Sequence, residues 1–259
     1  MSDRADEIRD AATVLVVRDG EARRPEVLMV RRTHKAAFAA GAMVFPGGAV
    51  DPADRTIAAS ARVVGRDLPP ADLTYWVAAL RETFEEAGLL VGRSGVDSDA
   101  LGVLRRDLLA GRTDFAACLD AADATLDCER IAYLSRWVTP KGETRRFDTR
   151  FFMVAAPEGQ IATHDTNETT ASEWVEPAHA LDRARGGELF MLPPTIASLT
   201  WLADFASTEA ALEAGLAKTA SVERPELVAR DDGALVLRLS DRDLILKPPS
   251  EPPAGKPDL

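Results

Sequence analysis

Three carboxylates, one guanidinium and one glycine are concentrated in Arg81-Glu82-Thr83-Phe84-Glu85-Glu86-Ala87-Gly88-Leu89. A helix with 3.6 residues per turn places Glu82, Glu85 and Glu86 on one face. Oxygen ligands without a nearby histidine or thiolate suit Mg²⁺ or Mn²⁺ better than Zn²⁺, and such ions in enzymes orient and neutralise phosphate oxygens. Arg81 stands one residue before Glu82 and four before Glu85, where it could hold a carboxylate in place, and Gly88 is suited to end the helix. Acids in such a run also occur as a plain solvated face. The segment upstream favours a site: Gly41-Ala42-Met43-Val44-Phe45-Pro46-Gly47-Gly48 is apolar and ends in a Pro-Gly-Gly turn, where backbone approaches a ligand or ion closely.

The elements that must position these groups follow from periodicity. Residues 13–17 read as a strand, Asp19-Gly20 as a turn and residues 27–31 as the partner strand. Residues 42–46 lead into the glycine turn. Leu73 to Ala87 form the acid-bearing helix, with Trp76, Leu80 and Phe84 available for the core and the acids toward the other side. The polar signals at 53–56 and 68–72 mark loop edges. Residues 99–110 and 114–122 read as two short amphipathic helices capping one edge of a cleft. Strands are predicted over 131–138, 149–155 and 172–175, and helices over 178–185 and 194–206, the last started by Pro193 and Pro194. Residues 223–247 read as a hairpin, and no internal repeat is present.

The glycine turn and the acidic helix together resemble the Nudix box, whose pattern is Gly, five residues, Glu, seven residues, then Arg-Glu-apolar-any-Glu-Glu-any-Gly-apolar. Gly48 matches the opening glycine and Arg81 to Leu89 match the distal half, with Thr83 in an apolar slot. Residues 49–80 separate the halves, about nineteen more than the pattern has, an extension that loop entropy tolerates. Asp54 stands where the first glutamate is expected and Asp51 is close by; the sequence does not divide the role between them.

The long insertion is shared with a Nudix subgroup similar to the peroxisomal coenzyme A diphosphatase (nudix motif 19). Trp137-Val138-Thr139-Pro140, Arg145-Arg146-Phe147-Asp148-Thr149-Arg150-Phe151-Phe152 and Leu192-Pro193-Pro194-Thr195 carry that likeness.

The resemblance implies an α/β/α sandwich around a mixed sheet, with residues 10–205 as the Nudix domain. Within it, 49–72 are an insertion in the box and 92–128 a helical insertion; 206–259 form a C-terminal extension and mobile tail. It also implies Mg²⁺ or Mn²⁺ held by Glu82, Glu85, Glu86 and a backbone carbonyl of Gly47 or Gly48. Glu82 serves as ligand or handles the proton of an attacking water, and Arg81 assists. In the loop 164–169, Glu168 is the candidate further ligand or general base, against the plainer reading of an exposed polar loop. Arg145 and Arg146, placed just before a strand, are candidates for substrate phosphate. His34, Lys35 and Arg32 lie ahead of Gly41; another coenzyme A-hydrolysing subgroup has a second arginine at the position of Ala37, for which Lys35 or Arg32 would substitute. The expected activity is hydrolysis of a nucleoside diphosphate linked to another group: coenzyme A or acyl-coenzyme A first, with ADP-ribose, NADH or a nucleotide sugar as alternatives, and a non-catalytic nucleotide-binding module as the reading from a different class.

The 259 residues suffice for a substantial core, and 46% apolar with 28% charged content is ordinary for a globular protein. A net charge of −11 argues against nucleic acid polymers, which are bound through clustered cations, but not against a small-molecule nucleotide. Cys118 and Cys128 lack metal-ligand spacing and read as unpaired thiols. With no apolar signal core at Met1–Glu7 and no run of about 20 apolar residues, a cytoplasmic enzyme without membrane attachment is expected. Trp201 and Phe205 would serve a homodimer interface as readily as a core.

Overall fold

The computed structural model describes residues 8–21, 23–33, 39–65, 67–143, 145–163, 169–231, 235–239 and 243–247. The first strand, β1 (Ile8–Asp19), alternates its side chains between two cores: Val14 and Val16 face one, Leu15 and Val17 the other. A strand buried on both faces belongs to the middle of a layered fold. Its neighbours are β2 (Pro25–Arg32), β3 (Met43–Val44) and β4 (Gly47–Ala49). The box insertion follows as α1 (Pro52–Ala58) and β5 (Val63–Val64), then the long helix α2 (Pro70–Ala87). The helical insertion holds α3 (Ser98–Leu109), α4 (Phe115–Ala121) and β6 (Leu126–Asp127). Strands β7 (Ala132–Val138), β8 (Arg146–Ala155) and β9 (Thr169–Val175) complete most of the sheet. Helices α5 (Pro177–Arg185), α6 (Pro193–Leu202) and α7 (Thr208–Ala217) cover its second face. The chain continues through β10 (Ser221–Glu223), β11 (Glu226–Ala229), β12 (Leu235–Arg238) and β13 (Asp243–Lys247).

The main sheet runs β10-β7-β8-β1-β2-β3, with β4 paired to β1 and β9 to β2. It is mixed: β1 is parallel to β8 and antiparallel to β2 and β4. Helices lie on both faces, so the expected α/β/α sandwich is present, and β12 and β13 form the C-terminal hairpin, joined by β11.

The polar signals at 53–56, expected to mark a loop edge, lie inside α1. Asp51 caps this helix by accepting from the Ala53 amide at 2.7 Å, while Asp54 accepts from the Asp51 amide at 2.8 Å, and Pro52 starts the first turn. An aspartate in place of the usual Glu closes this capping box. The other loop edge, 68–72, is where the loop gives way to α2, which starts at Pro70 rather than Leu73 because proline is tolerated where no intrahelical N–H bond is needed. Strand β8 starts at Arg146 rather than after it. The motif around Thr139 explains this: Thr139 exchanges backbone and side-chain hydrogen bonds with Phe147, extending the β7–β8 ladder toward the hairpin loop. The residues expected as a C-terminal tail, 248–259, lie outside the described residues.

Helix α2 packs Trp76, Leu80 and Phe84 inward at 4%, 1% and 1% exposure, as its i, i+4, i+8 spacing requires. Thr83 sits fully buried in the slot where an apolar residue is usual, and its hydroxyl donates to the Ala79 carbonyl at 2.7 Å. The hydroxyl is thereby satisfied within the helix. Cys118 and Cys128 are buried, and neither is in a disulfide.

Candidate active site

Strand β4 crosses β1 at Ala12 and Thr13, and this crossing delivers the glycine turn to the acidic face of α2. The Thr13 hydroxyl donates to the Pro46 carbonyl at 2.7 Å, fixing the turn from the sheet side. The Gly47 amide donates to Glu86 Oε2 at 3.0 Å. At Gly48 a Cβ would occupy the place of the Glu82 carboxylate, so only glycine lets helix and turn come this close. Two of the expected acids therefore meet the two expected glycines, through residues 39 positions apart in the case of Gly47 and Glu86.

Arg81 organises the rest. Its Nε and Nη2 bond both oxygens of Asp54 at 2.9 and 3.1 Å, its Nη1 reaches Glu82 at 2.9 Å and Glu85 at 3.1 Å, and Nη2 also donates to the Ala49 carbonyl at 3.0 Å. The planar fork of arginine permits this simultaneous contact; a lysine would not. Burial by itself would lower the Arg81 pKa, but hydrogen bonding to Asp54 and the fields of Glu82, Asp54 and Glu85 raise it. The guanidinium is thus a fixed cation. Asp54 is completely buried and Asp51 is exposed at the α1 cap, so the structure divides the two acids that the sequence leaves together. Asp54 is the brace of Arg81; Asp51 caps α1.

The single charge of Arg81 stands against three carboxylates, with Glu86 beside them at 4% exposure. Among the described residues no three His, Cys, Asp or Glu groups converge as a ready-made metal cage. The donor set nonetheless suits a hard divalent cation, since it offers oxygens and carries excess negative charge. Mg²⁺ is usually held by one or two carboxylates plus substrate phosphate rather than by a complete protein cage.

The C-terminal end of α2 is tied down by residues that sequence reasoning did not single out. Gly88 adopts φ 72° and its amide closes on the Phe84 carbonyl. Arg105 of α3 donates to the Glu85 carbonyl through Nε and Nη2 at 3.0 and 2.9 Å and to the Thr163 hydroxyl at 2.7 Å. The one available signal was a cation inside an apolar stripe, since Leu101, Leu104, Arg105 and Leu108 fall on one side of α3.

The remaining candidates are dispersed. Arg32 ends β2, and its Nε is buried without a hydrogen-bond partner among the described residues. Arg146 is 8% exposed and donates to the Thr139 carbonyl at 3.2 Å; Arg145, beside it, is exposed. In the sheet Arg146 lies opposite Ile8, four residues from the crossing at Ala12, or about 13 Å along the strand. Lys35, His34 and Glu168 lie outside the described residues.

Residues 56–202 match the family described as the NUDT19 Nudix domain. The chain belongs to the Nudix hydrolase family, in its NUDT19 subgroup. A Nudix hydrolase crystal structure from Alicyclobacillus acidocaldarius superposes with a TM-score of 0.71 at 36% identity, covering 80% of this chain and 96% of that one. The human protein named acyl-coenzyme A diphosphatase NUDT19 is 27% identical over 70% of this chain and 61% of its own length. Its Gallus gallus counterpart is 26% identical over 77% of this chain and 69% of its length. A Caenorhabditis elegans relative aligns over 68% of this Nudix chain and 55% of its own length, so this chain spans little more than half of that protein. Among the described residues of this Nudix hydrolase, no helix is long and apolar enough to cross a membrane.

Proposed function

We propose that this Nudix hydrolase is a divalent-metal-dependent pyrophosphohydrolase acting on a nucleoside diphosphate linked to another moiety, with coenzyme A or an acyl-coenzyme A as the leading substrate. The observation that carries the chemistry is the Asp54–Arg81 brace, which holds Glu82 and Glu85 beside a glycine turn that fixes Glu86. The names of the relatives support the substrate.

In this reading Glu82, Glu85 and Glu86, with a backbone carbonyl at Gly47 or Gly48, hold Mg²⁺ or Mn²⁺. The ion supplies neutralisation of the pyrophosphate and a lowered pKa for the attacking water. The protein's own part is orientation. The Gly47 amide aims one Glu86 oxygen, and Arg81 restricts the rotamers of Glu82 and Glu85, so that little reorganisation is needed when charge develops on the bridging oxygen. Glu82 or Glu85 accepts the proton of the water. Arg32, whose buried Nε has no acceptor among the described residues, is a candidate for substrate phosphate, with Arg145 at the exposed hairpin loop. Water adds to one phosphorus, the bridging P–O bond breaks, and coenzyme A yields 3′,5′-ADP and 4′-phosphopantetheine.

The test is a Mg²⁺- and Mn²⁺-dependent hydrolysis panel of coenzyme A, acetyl-coenzyme A, ADP-ribose, NADH and nucleotide sugars, with products identified by mass. Release of 3′,5′-ADP is the expected result. Cleavage of another substrate only would retain the chemistry and move the substrate, and nucleotide binding without turnover would replace the enzyme by a binding module.

A further inference from the structure

The last turn of α2 carries Glu85 and Glu86, and its carbonyls must find donors beyond the residues of the helix body. Three of them are accounted for by specific groups. The Phe84 carbonyl accepts from the Gly88 amide at 3.0 Å, the Ala87 carbonyl from the Thr163 amide at 2.9 Å, and the Glu85 carbonyl from two nitrogens of Arg105. Arg105 is 8% exposed, so its charge is largely withdrawn from water and placed at the negative end of the helix dipole. A Cβ on Gly88 would lie 2.8 Å from Arg105 Nη1 and 3.2 Å from the Thr163 hydroxyl. The glycine that ends the helix thus also clears the path of this guanidinium.

Helix α3 is built to deliver Arg105 there. Asp97 caps its N-terminus by accepting from the Ala100 amide at 2.9 Å, and Leu101, 3% exposed, packs inward one turn before Arg105. A buried arginine whose guanidinium is engaged by a backbone carbonyl and a hydroxyl is costly unless those acceptors are held in place. It joins three segments: the helical insertion, the end of the acid-bearing helix and the connection that follows β8.

We propose that Arg105 is a positioning residue of the site. It acts through the backbone of Glu85, fixing the direction in which the last turn of α2 presents Glu85 and Glu86. Thr163 is its second anchor. The helical insertion is therefore part of the metal site's support and not a passive decoration. This rests on the reading that Glu85 and Glu86 serve the metal site.

The test compares wild type with Arg105→Ala, Arg105→Lys and Thr163→Val by Mn²⁺ binding in electron paramagnetic resonance, by kcat and KM on whichever panel substrate is hydrolysed, and by thermal unfolding. Arg105→Ala is expected to weaken Mn²⁺ binding or lower kcat about tenfold or more at temperatures where it remains folded, the range found when groups orienting metal ligands are removed. Arg105→Lys, which retains a donor for the Glu85 carbonyl but loses the fork, is expected to recover part of the loss. Thr163→Val is expected to show a smaller loss of the same kind. Unchanged Mn²⁺ affinity and kcat in Arg105→Ala, with only a lower Tm, would overturn the proposal. If that variant does not fold, Arg105→Met, which keeps an apolar stem and removes every donor to the Glu85 carbonyl, decides, and wild-type affinity and kcat in it would overturn the proposal. The functional reading fails separately: wild-type Mn²⁺ binding that is absent or indifferent to Glu86→Gln would remove the metal site itself.

Discussion

At the scale of single residues, the site depends on which carboxylate neutralises Arg81 and which are left for an ion. Asp54 accepts from Nε and Nη2, one edge of the guanidinium, while fully buried, so removing its charge leaves that edge of Arg81 without its carboxylate in a dry environment. Asp54→Ala is expected to destabilise the fold by about 3–5 kcal/mol in urea unfolding, the cost of breaking a buried pair from one side. Wild-type stability in that variant would show that Glu82 and Glu85 suffice for Arg81. Glu86 has a different dependence, because its contact is with one backbone amide of the glycine turn. Glu86→Gln keeps the shape and loses the charge. It is expected to reduce hydrolysis at least about a hundredfold with little change in Tm, and retained activity would place the metal elsewhere. Chelation with EDTA should abolish turnover in the wild type, with Mg²⁺ or Mn²⁺ restoring it.

At the scale of elements, α2 does two jobs with two faces. Trp76, Leu80 and Phe84 bind it to the sheet and to the helical insertion, and Phe84 meets Phe115 of α4 with ring centroids 6.0 Å apart. Phe84→Ala should cost about 3–5 kcal/mol by cavity formation, read from chemical denaturation. The end of the helix is more sensitive than its core position suggests. Gly88→Ala would place a side chain at φ 72° against Arg105, a strain of about 1–3 kcal/mol. Because the substituted carbon would press on Arg105, a loss of activity at temperatures well below the melting transition should accompany the lower Tm. Full activity in a folded Gly88→Ala would separate the helix end from the site.

At the scale of the whole molecule, the two cores on either face of the sheet divide the labour: one is assembled by α1 to α4 around the site, the other by α5 to α7. Cys118 lies in the first of these. Burial, followed by the fields of Asp114, Asp107 and Glu85, pushes its thiol up to about 11. The native chain therefore keeps a proton that the unfolded chain releases near pH 8.5. The associated stability is present below that pH and is lost as pH rises toward 11, because the unfolded state then binds fewer protons. Urea unfolding of wild type and Cys118→Ala across pH 8 to 10.5 should show the steeper decline in wild type. Native Cys118 and Cys128 should also resist alkylation at pH 8 and react once the chain is unfolded; rapid native labelling of both would contradict their burial.

The sequence by itself determined the grouping of acids from which the proposed chemistry is read, because that grouping is written in local spacing. Acids at positions 82, 85 and 86 share a helical face whatever surrounds them, Gly88 ends that helix, and the strands at residues 13–17 and 27–31 announce themselves by composition. The loop-edge signal at 53–56 failed, where capping and a first-turn proline favour helix over the same residue types, whereas the edge at 68–72 is where the loop gives way to α2. Tertiary structure decided which acid faces Arg81, 27 residues away, and that Arg105 reaches the Glu85 backbone across 20 residues. Asp51 and Asp54 are the same side chain three residues apart. The burial of one against a guanidinium and the capping of α1 by the other distinguish them; the cap is a local contact, but the burial depends on how distant segments pack.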